Sequence, residues 1–218
     1  MKRILDCQAS DFKSMNREEL LAAIGEAEGR TIACETIGSI QPMLGDITNA
    51  EFVAAMGADI LLLNIFDVQK PYIAALPKTE PENVIHKLRE LTGRPIGINL
   101  EPVEQVLSSE DPEENMWAMT SGRKATLENA KKAAEMGVNF ILLTGNPGIG
   151  VTNAAIEQTL RLYKKELGDS IKQEEDVLSY ALFPQVAPKF FASRDKAPEP
   201  EKPAEPEVRV LYVQDSGN

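Results

Sequence analysis

Oxygen-bearing side chains recur where apolar runs stop. The run Thr31–Ile37 carries Glu35 and Thr36 near its end, and Asp59–Phe66 carries Asn64, with Asp67 just beyond. Pro95–Glu101 closes on Asn99 and Glu101, and Asn139–Thr144 closes on Thr144, with Asn146 close behind. In parallel β/α folds, ligands sit at the C-terminal strand ends. Glu35 and Glu101 are therefore candidate catalytic groups, suited to moving a proton or polarising a carbonyl. Asn64, Asn99, Thr144 and Asn146 are candidate binding groups. Glu35, Asp67 and Glu101 together offer oxygen ligands of the kind Mg2+ prefers. The alternative is that strand-end polar residues cap neighbouring loops.

The fourth run empties into Gly145-Asn-Pro-Gly-Ile-Gly150, and Ala154–Leu162 then reads as a helix capped by Asn153 or Thr152. Free backbone N–H groups and the positive end of the helix dipole would point at that turn. Gly145, Asn146, Gly148 and Gly150 thus frame a candidate site for a phosphate or carboxylate. The plainer alternative is a tight turn in which glycine serves geometry alone. Arg123 and Lys124 lie in the long connection before the fourth run. Arg123 would reach over an anionic substrate as a mobile clamp. The alternative there is a surface loop followed by a helix capped at Thr126, with Met116, Trp117 and Met119 anchoring the loop. His86, the single histidine, reads as part of a solvated helix face. One histidine gives little support to a Ser-His-Asp or Cys-His mechanism, and it excludes a His-rich metal site.

These residues need elements to position them. The four runs are continuously apolar, as parallel strands covered on both faces are. Helical stretches separate them at Asn16–Glu28, Asn49–Met56, Pro81–Leu91 and Thr126–Met136, the first with an Asn16/Glu19 capping box. Ala54–Leu63 and Ala133–Leu143 echo each other: a helix ends in Met-Gly and an apolar strand follows. Gly57 and Gly137 would be C-caps at positive φ. Strand–helix alternation gives an α/β fold, with a (β/α)8 TIM barrel as first reading and a doubly wound sheet as second. A full barrel takes about 250 residues and eight strands. About four βα units are visible before Gly145, so the fold reads as a partial barrel.

The domain expectation follows. Residues 1–160 form the barrel-like part, 161–195 a helical segment, and 196–218 a Pro/Glu-rich linker and tail. Glu174–Phe183 is a short amphipathic helix broken at Pro184, and Phe190-Phe191 is an apolar docking point. Ala197–Pro206 is an extended, disordered linker, and Val208–Val213 is a candidate late strand.

The chain has 218 residues, 43% of them hydrophobic, and a formal net charge of −11. Such acidity argues against nucleic acid as a main partner. No apolar run approaches the roughly 18 residues of a membrane span. Met1–Asp6 lacks the apolar region of a signal peptide, so the expected location is cytoplasmic. Cys7 and Cys34 form no CxxC pair, and Cys34 reads as a small buried hydrophobe.

Two resemblances follow from longer motifs. Arg3–Phe12, Leu62–Asp67, Gly93–Pro102 and Leu143–Asn153 resemble a bacterial TIM-barrel family sometimes labelled phosphoenolpyruvate phosphonomutase-like. That resemblance covers residues 1 to about 160 and implies a barrel with no settled reaction. The chain departs from it where the barrel pattern stops after the fourth strand. Glu174–Phe191 resembles the C-terminal segment of carboxyltransferase subunits of biotin-dependent oxaloacetate decarboxylase and pyruvate carboxylase. In those proteins a similar linker leads to a biotinyl domain. The Met-Lys-Met biotin attachment site and the His-x-His metal pair are absent here. Neither decarboxylation nor covalent biotin is carried over.

Three functions emerge. The first is a barrel-type lyase or isomerase of a small phosphorylated or carboxylated metabolite, using Glu35 or Glu101 and Mg2+. Two chains, as two half-barrels, would close its site. The second is a docking component of a carboxyltransferase-like assembly, held through Val177–Phe191. The third is an inactive barrel fragment.

Overall fold

The computed structural model describes residues 2–103, 119–144 and 151–167. Two short helices open the chain, α1 (Ala9–Ser14) and α2 (Arg17–Gly25). Then β1 (Ala33–Ile37), α3 (Asn49–Ala55), β2 (Ile60–Asn64), α4 (Val84–Thr92) and β3 (Ile96–Leu100) alternate. Next come α5 (Leu127–Glu135), β4 (Phe140–Leu143) and α6 (Asn153–Leu167). Among the described residues the sheet is four-stranded, wholly parallel and ordered β1-β2-β3-β4, without a reversal. The fold is α/β. No helix among the described residues is long and apolar enough to cross a membrane.

Local chemistry sets the helix ends. Asn16 Oδ1 accepts from Glu19 N at 2.9 Å, and the Glu19 carboxylate accepts from Asn16 N at 2.9 Å. Thr48 and Glu51 make the same reciprocal box ahead of α3. Thr126 Oγ1 accepts from Asn129 N at 3.1 Å to start α5. Each box satisfies two amide groups that a helix start leaves unpaired. The α3 and α5 helices end at Gly57 (φ 104°) and Gly137 (φ 85°), where a side chain would be strained.

Side chains alternate across the sheet. Leu61 and Leu63, with Ile96, Ile98, Leu100, Ile141 and Leu143, join α3 to α6 in the main core. The other face places Ile60, Leu62, Phe140 and Leu142 against α1 and α2, through Ile4, Phe12, Leu20 and Ile24. Full burial of such a side chain contributes about 1.5–3 kcal/mol. β1 departs from the expectation of a strand covered on both faces. Among the described residues it is an edge strand, with Ala33 and Glu35 exposed. Cys34 is accordingly half-buried, and burial raises its thiol above the ordinary value.

Helix α6 runs through the boundary expected between residues 160 and 161. Tyr163 is fully buried in the main core with Leu167, and its hydroxyl donates to Thr126 O at 3.1 Å. The first unit therefore extends through α6. The expected helix at 174–183, the break at Pro184, the linker at 197–206 and the strand at 208–213 lie outside the described residues.

Row by row, the register sets Glu35 beside Leu62, Leu62 beside Gly97 and Gly97 beside Phe140. The Phe140 ring lies where a Cβ on Gly97 would stand. Gly97→Ala should therefore lower stability by about 1–3 kcal/mol through overpacking. Adding Phe140→Leu should recover part of that loss in urea denaturation. A Gly97→Ala chain as stable as the parent would remove the ring from over β3.

Candidate functional site

Three neighbouring strands send polar side chains from one face to a common point. Asn99 of β3 is buried, and its Nδ2 donates to Glu35 Oε1 of β1 at 3.1 Å and to Asn64 Oδ1 of β2 at 3.3 Å. Asn64 Oδ1 also accepts from Ile65 N at 2.8 Å. An amide shared this way fixes the carboxylate of the exposed Glu35 by one oxygen. Asn99 Oδ1 is buried without a hydrogen-bond partner among the described residues. So is Oγ1 of Thr144, which continues the alternation of β4 on the same face. Buried polar atoms without partners cost free energy and commonly face a bound group.

Ile65 adds a second signal. Its φ is +56°, an outlying conformation for a β-branched residue. Such strain costs about 1–3 kcal/mol and clusters at functional sites. It turns the chain sharply at the end of β2, immediately after Asn64. Sequence reasoning missed Ile65, because no residue type announces positive φ at an isoleucine.

Glu101 and Arg123 lie one step beyond β3. Both are buried, and Arg123 Nη2 donates to Glu101 Oε1 at 2.7 Å. The backbone reinforces the pair: Glu101 N donates to Arg123 O at 2.9 Å, and Ala125 N donates to Glu101 O at 2.8 Å. Burial pushes the Glu101 carboxyl above its ordinary range, and the adjacent guanidinium opposes that shift. The mobile-clamp expectation for Arg123 is thus corrected. Asn129, itself buried, donates to Ser121 O and Lys124 O at 2.8 Å each and fixes the turn that carries Arg123. Loop composition concealed this, since the partner carboxylate is distant in sequence.

The expected magnesium set of Glu35, Asp67 and Glu101 does not form. Asp67 Oδ1 accepts from Gln69 N at 2.7 Å and Lys70 N at 3.0 Å, so it serves a turn. Glu101 is engaged with Arg123, and Glu35 is held by Asn99. Among the described residues no group of three or more His, Cys, Asp or Glu side chains is placed to hold a metal ion. This donor set does not fit Mg2+.

Gly145, Asn146, Gly148 and Gly150 lie outside the described residues, as do Met116 and Trp117. The helix expected after that turn is present as α6, with Thr152 Oγ1 accepting from Ala155 N at 3.1 Å. His86 is not on a fully solvated face. It is half-buried, with its imidazole against Gly137 near the N-terminal end of β4.

The Glu101–Arg123 pair has a measurable energetic signature. Arg123→Met leaves a buried carboxylate without its counter-charge and should cost about 3–5 kcal/mol near neutral pH. Because the folded-state pKa of Glu101 is raised, the folded chain takes up this proton more readily than the unfolded chain does. The penalty should therefore be full above that raised value, fade as pH falls from it towards the ordinary 4.5, and be gone below 4.5. The double change Glu101→Leu with Arg123→Met should be far milder. Urea midpoints at about pH 7 and about pH 4 check this. An Arg123→Met loss independent of pH would mean that Glu101 is not the group left exposed to burial.

No curated protein matches the chain. A family model does, over residues 5–172, which is more than half of the sequence and reaches past the end of α6. By that match the chain belongs to the family described as a domain of unknown function, DUF7916.

Proposed function

We propose that this chain is a barrel-type enzyme that moves a proton on a small carboxylated or phosphorylated metabolite, as a lyase or isomerase does. The observation that carries the reading is the Glu35–Asn99–Asn64 node at the C-terminal ends of three parallel strands. Glu35 is the base. It takes a proton from carbon next to a carbonyl, and the electron pair moves onto the carbonyl oxygen as an enolate. The Thr144 hydroxyl, without a partner among the described residues and on the same face, is the donor for that oxygen. Asn99 positions Glu35 and leaves one acceptor free for the substrate. The start of α6 supplies a helix dipole favourable to the anionic group.

The architecture we assign is half of a (β/α)8 barrel. Support comes from the strand order without reversal and from the crossover helices sharing one core. A doubly wound sheet would instead show a switch in strand order. Among the described residues β1 has one unpaired edge, and Ile32 just before it and Met43 and Leu44 in the connection after it are exposed. A second copy would meet that edge and complete the site. The free thiols Cys7 and Cys34 suit a reducing compartment, and we assign the chain to the cytoplasm.

Two measurements test this reading. Deuterium exchange from solvent into the methyl group of pyruvate, followed by NMR, should be catalysed by the parent chain. Glu35→Gln should slow it by about 10²–10⁴-fold. Equal rates in parent and variant, or no exchange across a panel of short 2-keto acids, would sink the proposal. Light scattering should give a sharp dimer, and a sharp monomer would exclude closure by two chains.

A further inference from the structure

A cleft of about 560 Å³ lies between α1 and α4, remote from the strand ends just described. Its walls carry Lys13 from α1, Lys87 and Arg89 from α4, and Arg94 just after α4. Glu90 is the one acidic side chain in its lining. Four cations against one carboxylate leave an excess of three positive charges, in a chain whose formal net charge is −11. Composition would not place such a patch here.

The cations are not equally free. Lys87 Nζ pairs with Glu90 Oε2 at 2.7 Å, and Arg89 Nη1 donates to Gly137 O at 3.3 Å. Lys13 is exposed and has Glu90 within electrostatic reach, and neither Lys13 nor the half-buried Arg94 makes an ion pair or hydrogen bond among the described residues. A partly exposed guanidinium with unused N–H groups can make charge-assisted hydrogen bonds to an incoming anion. Asn83 adds an amide and Thr79 a hydroxyl to the same lining, as donors for further oxygens. The walls are also fixed in spacing. Gly93 (φ +61°) ends α4 in a left-handed turn, and a Cβ there would meet the Ala9 Cβ of α1 at 2.8 Å.

We propose that this cleft binds a small multiply charged anion of the oligophosphate class, at a site separate from the Glu35 node. Size and charge both select such a ligand. The volume is that of a small-molecule pocket. A long polyanion would meet the acidic remainder of the surface. A compact one feels mainly charges within a screening length of about 8 Å.

Inorganic tripolyphosphate is the probe, titrated calorimetrically into the full chain at moderate salt. Saturable binding at one site per chain is expected. Lys13→Gln with Arg94→Gln should weaken it by about tenfold or more, as loss of charge-assisted hydrogen bonds does. Lys164→Gln with Lys165→Gln, the same charge change on α6, should leave it unchanged, with circular dichroism confirming that both variants fold. No saturable binding, equal weakening by both pairs, or tighter binding of a single-stranded RNA than of tripolyphosphate would overturn the proposal.

Discussion

The strand-to-helix interface of a parallel sheet imposes a period of two on every strand, and the candidate site is a consequence of it. Alternate residues of β2, β3 and β4 must bury against α3 to α6, and Leu61, Leu63, Ile96, Ile98, Ile141 and Leu143 do so. The residues between them are forced onto the opposite face. Near the N-terminal strand ends that face is sealed by α1 and α2 over Ile60 and Phe140. Farther along it the cover gives way to Asn64 and Asn99. A polar node is tolerated there because Asn99 gives both amide hydrogens to oxygens, one on the adjacent β2 and one on β1 beyond it.

The polar end of the sheet is built at an energetic disadvantage. Ile65 holds a positive φ, Asn99 and Thr144 keep buried oxygens without partners among the described residues, and Glu101 is paired with Arg123 away from water. None of these features is needed to hold the core, where apolar residues of similar volume would serve as well. Positive φ also occurs at Glu28 and Ala75, and Thr31 also buries a hydroxyl without a partner among the described residues, but at the C-terminal strand ends such features adjoin the Glu35–Asn99–Asn64 node, and that juxtaposition is what supports the proposed site. Opposite them the N-terminal end carries apolar contacts and the His86–Gly137 packing.

Much of this was legible in residue types. Asn16 with Glu19, and Gly57 and Gly137 after their helices, are local signals whose meaning does not depend on distant partners. The four apolar runs located every strand to within about two residues, the usual uncertainty of element ends. What was not legible depends on tertiary partners. Arg123 in a loop of Ser and Gly reads as solvated until Glu101 is brought beside it. Asp67 reads as a metal ligand until its oxygen is found on two backbone amides. Continuous apolar character likewise hid that β1 is an edge, because coverage is a property of the sheet and not of the strand.

In the proposed reaction the demand for a base falls on Glu35. An exposed carboxylate is a weak base in water, so orientation and exclusion of water must supply what a cation would otherwise provide. Asn99 supplies the first by fixing one carboxylate oxygen. The second requires a cover over the face that β1 leaves exposed. The exposed Ile32 precedes that strand and the exposed Met43 and Leu44 lie in the connection after it, so a second copy of the chain seated on β1 is the cover the proposal calls for. On the proposed reading, association and activation would be one event: the contact that removes apolar area from water would also cover Glu35.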